Sequence, residues 1–393
     1  MTAALIRFDP FSPDFLADPF RYYDELLQTA TIHRTRFGVR VVVGYRECAK
    51  ILTDRRFLRD HRGHGRRRKE ADPPNTAVAA SDMTMLNCDS PRHERMRSPF
   101  VPIFAARNLE ISSDNIKHNA RILIDSCRNR EEFDVVSDFA RPLAVTTIKN
   151  ILGLESIDND LVIRFATANS LLLEPRSLNK NELEEAEGSF NDLSRLIVDK
   201  ISNDHQDTES MVQVQKGLEV GKFTEAELIA NFGAIIFAAI DTTVNLICGG
   251  TKAVLDGALS PEGLMSDAGV SEMLRLFPSI HMTGRIAGED LLVGNRSIEE
   301  GSLLIVVVGA ANRDPRVYSS PGDVDLKRKG PPPLSFGAGP HFCLGSHLAK
   351  LEARHAWKAL LAVLDDFDAR SMRLEFQKRA FLRAPEKMLL RRR

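Results

Sequence analysis

Cys343 stands in the run Phe336-Gly337-Ala338-Gly339-Pro340-His341-Phe342-Cys343-Leu344-Gly345, with two glycines and a proline before it and a helical pattern after it. A thiol at a helix N-terminus feels the positive end of the helix dipole and can receive backbone N–H groups, and both effects favour the thiolate. Such a sulfur suits nucleophilic chemistry or metal ligation, and a buried structural cysteine fits the same pattern. Glu272-Met273-Leu274-Arg275 sets an acid and a base three residues apart, on one helix face, where they can pair. The plain reading is a surface ion pair. Ala238-Ala239-Ile240-Asp241-Thr242-Thr243 puts an acid and two hydroxyls inside an apolar stretch. Those groups are costly there unless bonded or used. A threonine hydroxyl can turn on its own backbone and loosen the helix, and the alanines let something large lie close.

These residues need elements to position them. The stretch Thr224–Asp256 is long, free of proline and apolar in its middle, the pattern of a helix at the centre of a protein. Ser271–Phe277 reads as a helix stopped by Pro278, strand-like runs follow to Val308, and Leu344–Leu364 reads as a last long helix. Asp14–Thr29 reads as one helix capped by Asp14, and Thr31–Val43 as a hairpin turning at Phe37-Gly38. From Pro91 to Gly257 the pattern is mainly helical. Asn312–Pro333 lacks periodicity, and so long an irregular segment inside a compact chain is usually functional.

Composition narrows the classes. The chain has 393 residues, 53 Lys and Arg against 54 Asp and Glu, and a formal net charge of −1. That balance argues against nucleic acid as the main partner. The charged and apolar fractions are those of an ordinary globular protein. The apolar runs fall short of a bilayer span, the N-terminus lacks a signal-peptide pattern, and no membrane partner is expected. Five scattered cysteines without a CxxC suggest neither disulfides nor zinc, so a reducing, cytoplasmic setting is expected. Positions 54–69 carry eight Lys and Arg residues against Asp54 and Asp60. A solvated loop is the plain reading, and an anionic substrate or acidic partner protein is the functional one.

Taken together, the motifs resemble the bacterial cytochrome P450 family over nearly the whole chain. The cysteine run resembles the family's haem-binding signature FGxGxHxCxG. The ExxR, the alanine-rich acid–Thr–Thr segment and Ala311-Asn312-Arg313-Asp314-Pro315 follow the family's order and spacing. The resemblance implies a mainly α fold with a small β region and one domain over 1–393, β-rich near 31–43, 284–308 and 365–393. It implies haem (heme b) between the central and last long helices, with Cys343 as thiolate ligand of iron, and a monooxygenase acting on a lipophilic small molecule of specialised metabolism. Asp241 and Thr242 match the acid–alcohol pair that hydrogen-bonds dioxygen and brings protons. His93 and Arg97, with Arg285 and His341, match the propionate ligands; Phe336, Gly337, Gly345, Ala238 and Ala239 would also border the haem. Glu272 and Arg275 would lock the irregular segment rather than touch substrate.

By position, Met83, Leu86, Ile235, Ala238, Ile280, His281, Met282, Phe381 and Leu382 would line the substrate pocket. His281 is the polar exception, with a backbone-bonded histidine as its plain reading. The family's Pro-x-Arg-Phe reads here Pro321-Gly322-Asp323-Val324, so Asp323 stands as a replacement that could pair with Arg275. Ala239 stands where relatives commonly have glycine. No nucleotide-binding loop is present, so electrons should come from a separate ferredoxin and its reductase, docking on a cationic face with Arg95, Lys350 and Arg354. The basic run 54–69 would meet an acidic substrate or an acidic carrier protein. The alternatives are oxidative coupling, desaturation or peroxide-driven chemistry within the family, a non-catalytic haem sensor, and a cysteine hydrolase that lacks a placed base.

Overall fold

The computed structural model describes residues 5–60, 77–203 and 209–393. The chain packs into two compact, discontinuous units: Met1–Arg66, Asn245–Cys343 and Glu375–Glu386 in one, and Arg67–Val244, Leu344–Leu374 and Lys387–Arg393 in the other.

The first unit is built on a six-stranded sheet. Its order is Leu5–Ile6, Ile32–Thr35, Arg40–Val42, Leu303–Val306, Thr283–Ala287 and Phe57–Leu58. The expected hairpin forms: Ile32 pairs with Val42 and Arg34 with Arg40, and Gly38 takes φ +81° in the turn. Side chains alternate across a strand, so this sheet buries both faces. Ile32, Val42, Leu304 and Val306 join Tyr45, Ile51 and Leu52 of helix Tyr45–Thr53 in one core. Val41, Val43 and Val307 join Phe15, Tyr23 and Leu27 in another. Asp14–Thr29 is two helices, Pro13–Ala17 and Pro19–Thr29. Pro19 has no N–H to continue the first, and Asp18 caps the second through the Phe20 amide (3.1 Å), while Ser12 rather than Asp14 caps the first.

The second unit is mainly helical. Helix Ser346–Leu361 packs on Ala106–Cys127, and Asn159–Ser170 on Lys180–Asn203. A three-stranded sheet orders Phe367–Phe376, Pro385–Arg392 and Glu132–Asp134, with Phe133 edge-on to Phe367 at 5.0 Å. The central helix is Glu225–Leu255. It opens with a reciprocal cap: the Glu227 amide donates to Thr224 Oγ1 (3.2 Å) and the Thr224 amide to Glu227 Oε2 (3.1 Å). Among the described residues this is the one helix long and apolar enough to cross a membrane; 78% of its apolar window is buried, as in a core helix.

Candidate active site

Cys343 is positioned by two tight turns, the 3₁₀ segments Leu334–Phe336 and Gly339–His341. Gly337 and Gly339 each take φ +70°, a region that disfavours side chains. A Cβ on Gly339 would lie 2.6 Å from the Leu52 carbonyl oxygen, so only glycine fits there. The turns close when the Cys343 amide donates to the Phe336 oxygen (2.8 Å) and the Phe342 amide to the Gly339 oxygen (3.0 Å). Phe336 and Phe342 meet edge to face at 6.3 Å. The other four cysteines are buried and outside any disulfide; Cys343 alone of the five is partly exposed. It sits just before helix Ser346–Leu361, whose N-cap is Gly345.

Among the described residues no group of three or more His, Cys, Asp or Glu could hold a metal. A single cysteine ligand suits a metal that brings its other ligands with it, as haem does. Phe342, the residue before Cys343, is 44% exposed, and the residues of this loop fit the group. In the helical unit, Phe237, Ala238, Ala239 and Thr242 are half-buried in the middle of an otherwise buried stretch of the central helix.

On that helix Thr242 Oγ1 donates to the Ala238 carbonyl (2.5 Å). Asp241 is buried, and Arg141 Nη2 lies 3.8 Å from its Oδ1. Arg141 comes from the first turn of helix Arg141–Leu152, and its Nε is buried with no hydrogen-bond partner among the described residues. Nothing in the local sequence flags Arg141, because the contact joins residues 100 positions apart.

The expected propionate ligands fall in both units. His93 is buried and Arg97 half-buried, one turn apart on helix Arg92–Arg97. In the sheet unit, His341 lies in the second turn of the cysteine loop. Arg285 is buried and donates to the Gly284 carbonyl (2.7 Å) and Thr283 Oγ1 (3.2 Å). Arg59 reaches the same two oxygens, at 3.3 and 2.7 Å. Sequence reasoning took Arg59 only as part of a charge run; here two guanidinium groups share one hydroxyl and one carbonyl.

Glu272 and Arg275 form a bidentate buried pair, Nε–Oε1 and Nη2–Oε2 both 2.8 Å. The reading of Asp323 as a replacement for the family's third residue is corrected. Asp323 meets the arginines through its backbone carbonyl, which accepts from Arg275 Nη2 (2.8 Å) and Arg328 Nη2 (2.8 Å). The second arginine is Arg328, whose Nε lies 3.1 and 3.2 Å from the two Glu272 oxygens. Burial works to raise the Glu272 pKa; hydrogen bonds from Arg275, the Asp325 amide and Arg328 outweigh it and hold the carboxyl below its ordinary value. Arg275 also donates to the Asn312 and Pro321 carbonyls, so the network clamps the irregular segment.

His281 and Met282 are withdrawn from the pocket. Tyr23 Oη lies 2.9 Å from His281 Nδ1, and Phe20 packs on the ring at 5.4 Å. Burial, then Arg383 and Arg313, lower the His281 pKa to about 3, so the ring is neutral. Met282 belongs to the core around Phe15 and Tyr23. Ile280 bridges to Leu382, and the His281 amide donates to the Phe381 carbonyl (2.8 Å), which pins the segment at Phe381-Leu382. In the helical unit a small, uncharged cavity of about 30 Å³ is lined by Leu86 together with Thr84, Asn87, Phe165, Ala234 and Phe237 among others. Met83, Ile235 and Ala238 are neighbours of these residues in sequence but do not line it.

Arg95 is also corrected. Both its Nη atoms bond Glu227 (2.8 and 3.0 Å), so it is tied into the helical unit rather than offered as a docking charge. In the basic run, Arg56 pairs with Asp54 and Glu289; positions 61–69 lie outside the described residues.

Comparison with known proteins agrees with this site. The cytochrome P450 family model matches residues 264–390. The biotin biosynthesis cytochrome P450 of Bacillus subtilis is 31% identical over 89% of this chain and 90% of its own length. The cytochrome P450 monooxygenase PikC of Streptomyces venezuelae is 31% identical over 88% of this chain and 84% of its own. The crystal structure of P450BioI in complex with hexadec-9Z-enoic acid ligated acyl carrier protein superimposes with TM-score 0.83 at 29% identity, covering 97% of this chain and 100% of that one. Epothilone B-bound P450epoK gives 0.85 at 25% identity, covering 98% and 100%. The chain belongs to the cytochrome P450 family. It is a monooxygenase with the P450 fold, and its family carries haem with a cysteine thiolate on the iron.

Proposed function

We propose that Cys343 supplies that thiolate and that the enzyme inserts one oxygen atom into a lipophilic small molecule of specialised metabolism. The observation that carries this is the partly exposed Cys343 at the end of a loop in which Gly339 has no room for a side chain. Haem, when bound, activates dioxygen, and thiolate ligation favours cleavage of the O–O bond.

The chain's own residues do the rest. Thr242 holds a hydroxyl proton at Oγ1, oriented by its bond to the Ala238 carbonyl. Asp241 supplies the carboxyl group that resupplies it, and Arg141, 3.8 Å away, holds that group in place. In the sheet unit Arg285, Arg59 and His341 are the candidates to meet haem carboxylates; for the helical unit the family resemblance gives that role to His93 and Arg97. Glu272, Arg275 and Arg328 fix the irregular segment without touching substrate. The uncharged lining of the helical-unit cavity favours an apolar substrate body. Electrons would come from a ferredoxin-type donor and its reductase. A carrier-bound substrate is supported by one relative, P450BioI, whose structure holds an acyl carrier protein. Five cysteines outside any disulfide suit a reducing cytoplasm.

The test is optical. Reduction under carbon monoxide should give a strongly red-shifted Soret band, and Cys343→Ser should abolish that shift. A wild-type protein that binds haem without the shift overturns the assignment.

A further inference from the structure

Asn231 lies on the central helix, fully buried, and does not line the cavity of the helical unit. Its neighbours Ala230, Gly233, Ala234 and Phe237 do, and so do Thr84, Leu86 and Asn87 on another wall. Those three belong to, or adjoin, the single 3₁₀ turn Met85–Asn87, which has no side-chain cap of its own. The amides at the start of such a turn need an acceptor from elsewhere. Asn231 provides one: its Oδ1 accepts from the Met85 amide at 2.8 Å. Its Nδ2 is fixed by the Glu227 carbonyl (2.6 Å) and lies 3.4 Å from the Met83 carbonyl. Within the segment, Thr84 Oγ1 and Asn87 Nδ2 both donate to the Ser81 carbonyl. Glu227, one helical turn before Asn231, holds Arg92 and Arg95. One ridge of the central helix therefore anchors two segments by separate side chains.

We propose that Asn231 is a positioning residue for substrate selection: it fixes the cavity wall Thr84–Asn87 against the central helix. The lining of the cavity carries no ionisable side chain, so this wall favours an uncharged ligand body. The proposal rests on the monooxygenase reading only in taking this cavity as the substrate's. Gly233 sets the depth, since a Cβ there would meet Phe165 Cζ at 2.8 Å.

The test compares the haem-loaded wild type with Asn231→Leu, which keeps volume and removes both polar atoms, and with Asn231→Asp, which keeps the acceptor. Dodecanol binding is measured by calorimetry, imidazole binding to the haem by optical titration, and exchange of the Met85 amide by mass spectrometry. Asn231→Leu should weaken dodecanol about tenfold, the scale of one buried hydrogen bond, and leave imidazole unchanged. Met85 exchange should quicken while the amides of Arg92–Arg97 keep their protection. Asn231→Asp should restore most of the dodecanol affinity. A wild type that does not bind dodecanol overturns the proposal. Unchanged dodecanol binding and Met85 exchange in Asn231→Leu also overturn it. So does joint loss of dodecanol, imidazole and haem binding in that variant, which would make Asn231 a general fold residue. A wild type without the thiolate-type spectrum instead defeats the oxygenase reading, and Met85 exchange still decides whether Asn231 holds the wall.

Discussion

Glu272 is gripped by two guanidinium groups, Arg275 from one helical turn away and Arg328 from the irregular segment, with side chains only 1% and 7% exposed. Asp323 contributes a carbonyl and no carboxylate. These geometries separate two substitutions that a sequence comparison would treat alike. Asp323→Ala should leave melting temperature and haem content unchanged, because the backbone oxygen survives. Arg328→Ala removes donors to a buried carboxylate and should cost about 1.5–3 kcal/mol, the range for hydrogen bonds to charged groups. Denaturant titration of the two variants side by side checks this, and equal losses would refute it. Cys343, Glu272 and Arg275 were legible in the sequence because their partners lie within a few residues. Arg328 was not, because its reach depends on how Asn312–Pro333 folds back. Arg59 and Arg141 were missed for the same reason: a guanidinium's partner is set by tertiary approach, and no local pattern records it.

At the scale of elements, the periodic segments were legible and their junctions were not. The central helix, the last long helix and the hairpin at Phe37-Gly38 follow from apolar spacing and turn chemistry. The break at Pro19 was passed over because apolar residues recur at helical spacing straight through it, and period alone does not register a missing N–H. The meeting of helix Arg141–Leu152 with the central helix has a functional consequence. Arg141 is 3.8 Å from Asp241, close enough to orient its carboxyl group and too far for a direct hydrogen bond. Arg141→Gln should lower kcat about tenfold, a small part of what a placed acid–base group supplies, with KM little changed. The solvent isotope effect on turnover should rise, because proton resupply becomes limiting. Arg141→Lys should recover much of the loss. A variant with raised KM and an unaltered isotope effect would assign Arg141 to packing instead.

Across the whole molecule, net charge is near zero, so the pH dependence of stability is governed by individual buried groups rather than by overall repulsion. Two of them act in opposite senses. In the sheet unit His281 is buried neutral with its pKa lowered from 6.5 to about 3. The unfolded chain binds that proton first, so His281 favours the fold above pH 6.5, and its contribution is lost as pH falls toward 3. In the helical unit burial raises the Glu352 carboxyl from 4.5 to about 8, against a smaller lowering by Thr147. The folded chain keeps that proton, so Glu352 favours the fold below pH 4.5, and its contribution is lost as pH rises toward 8. Between 4.5 and 6.5 the two slopes oppose one another. Stability should therefore plateau there and fall on both sides, each limb by at most about tenfold in the folding equilibrium per pH unit for one proton. Glu352→Gln keeps the shape of the neutral acid and should flatten the limb from 6.5 to 8 while leaving the acid limb intact. Melting temperatures of the haem-loaded protein from pH 3.5 to 8.5 decide it: an alkaline limb that survives Glu352→Gln would place the titrating group elsewhere.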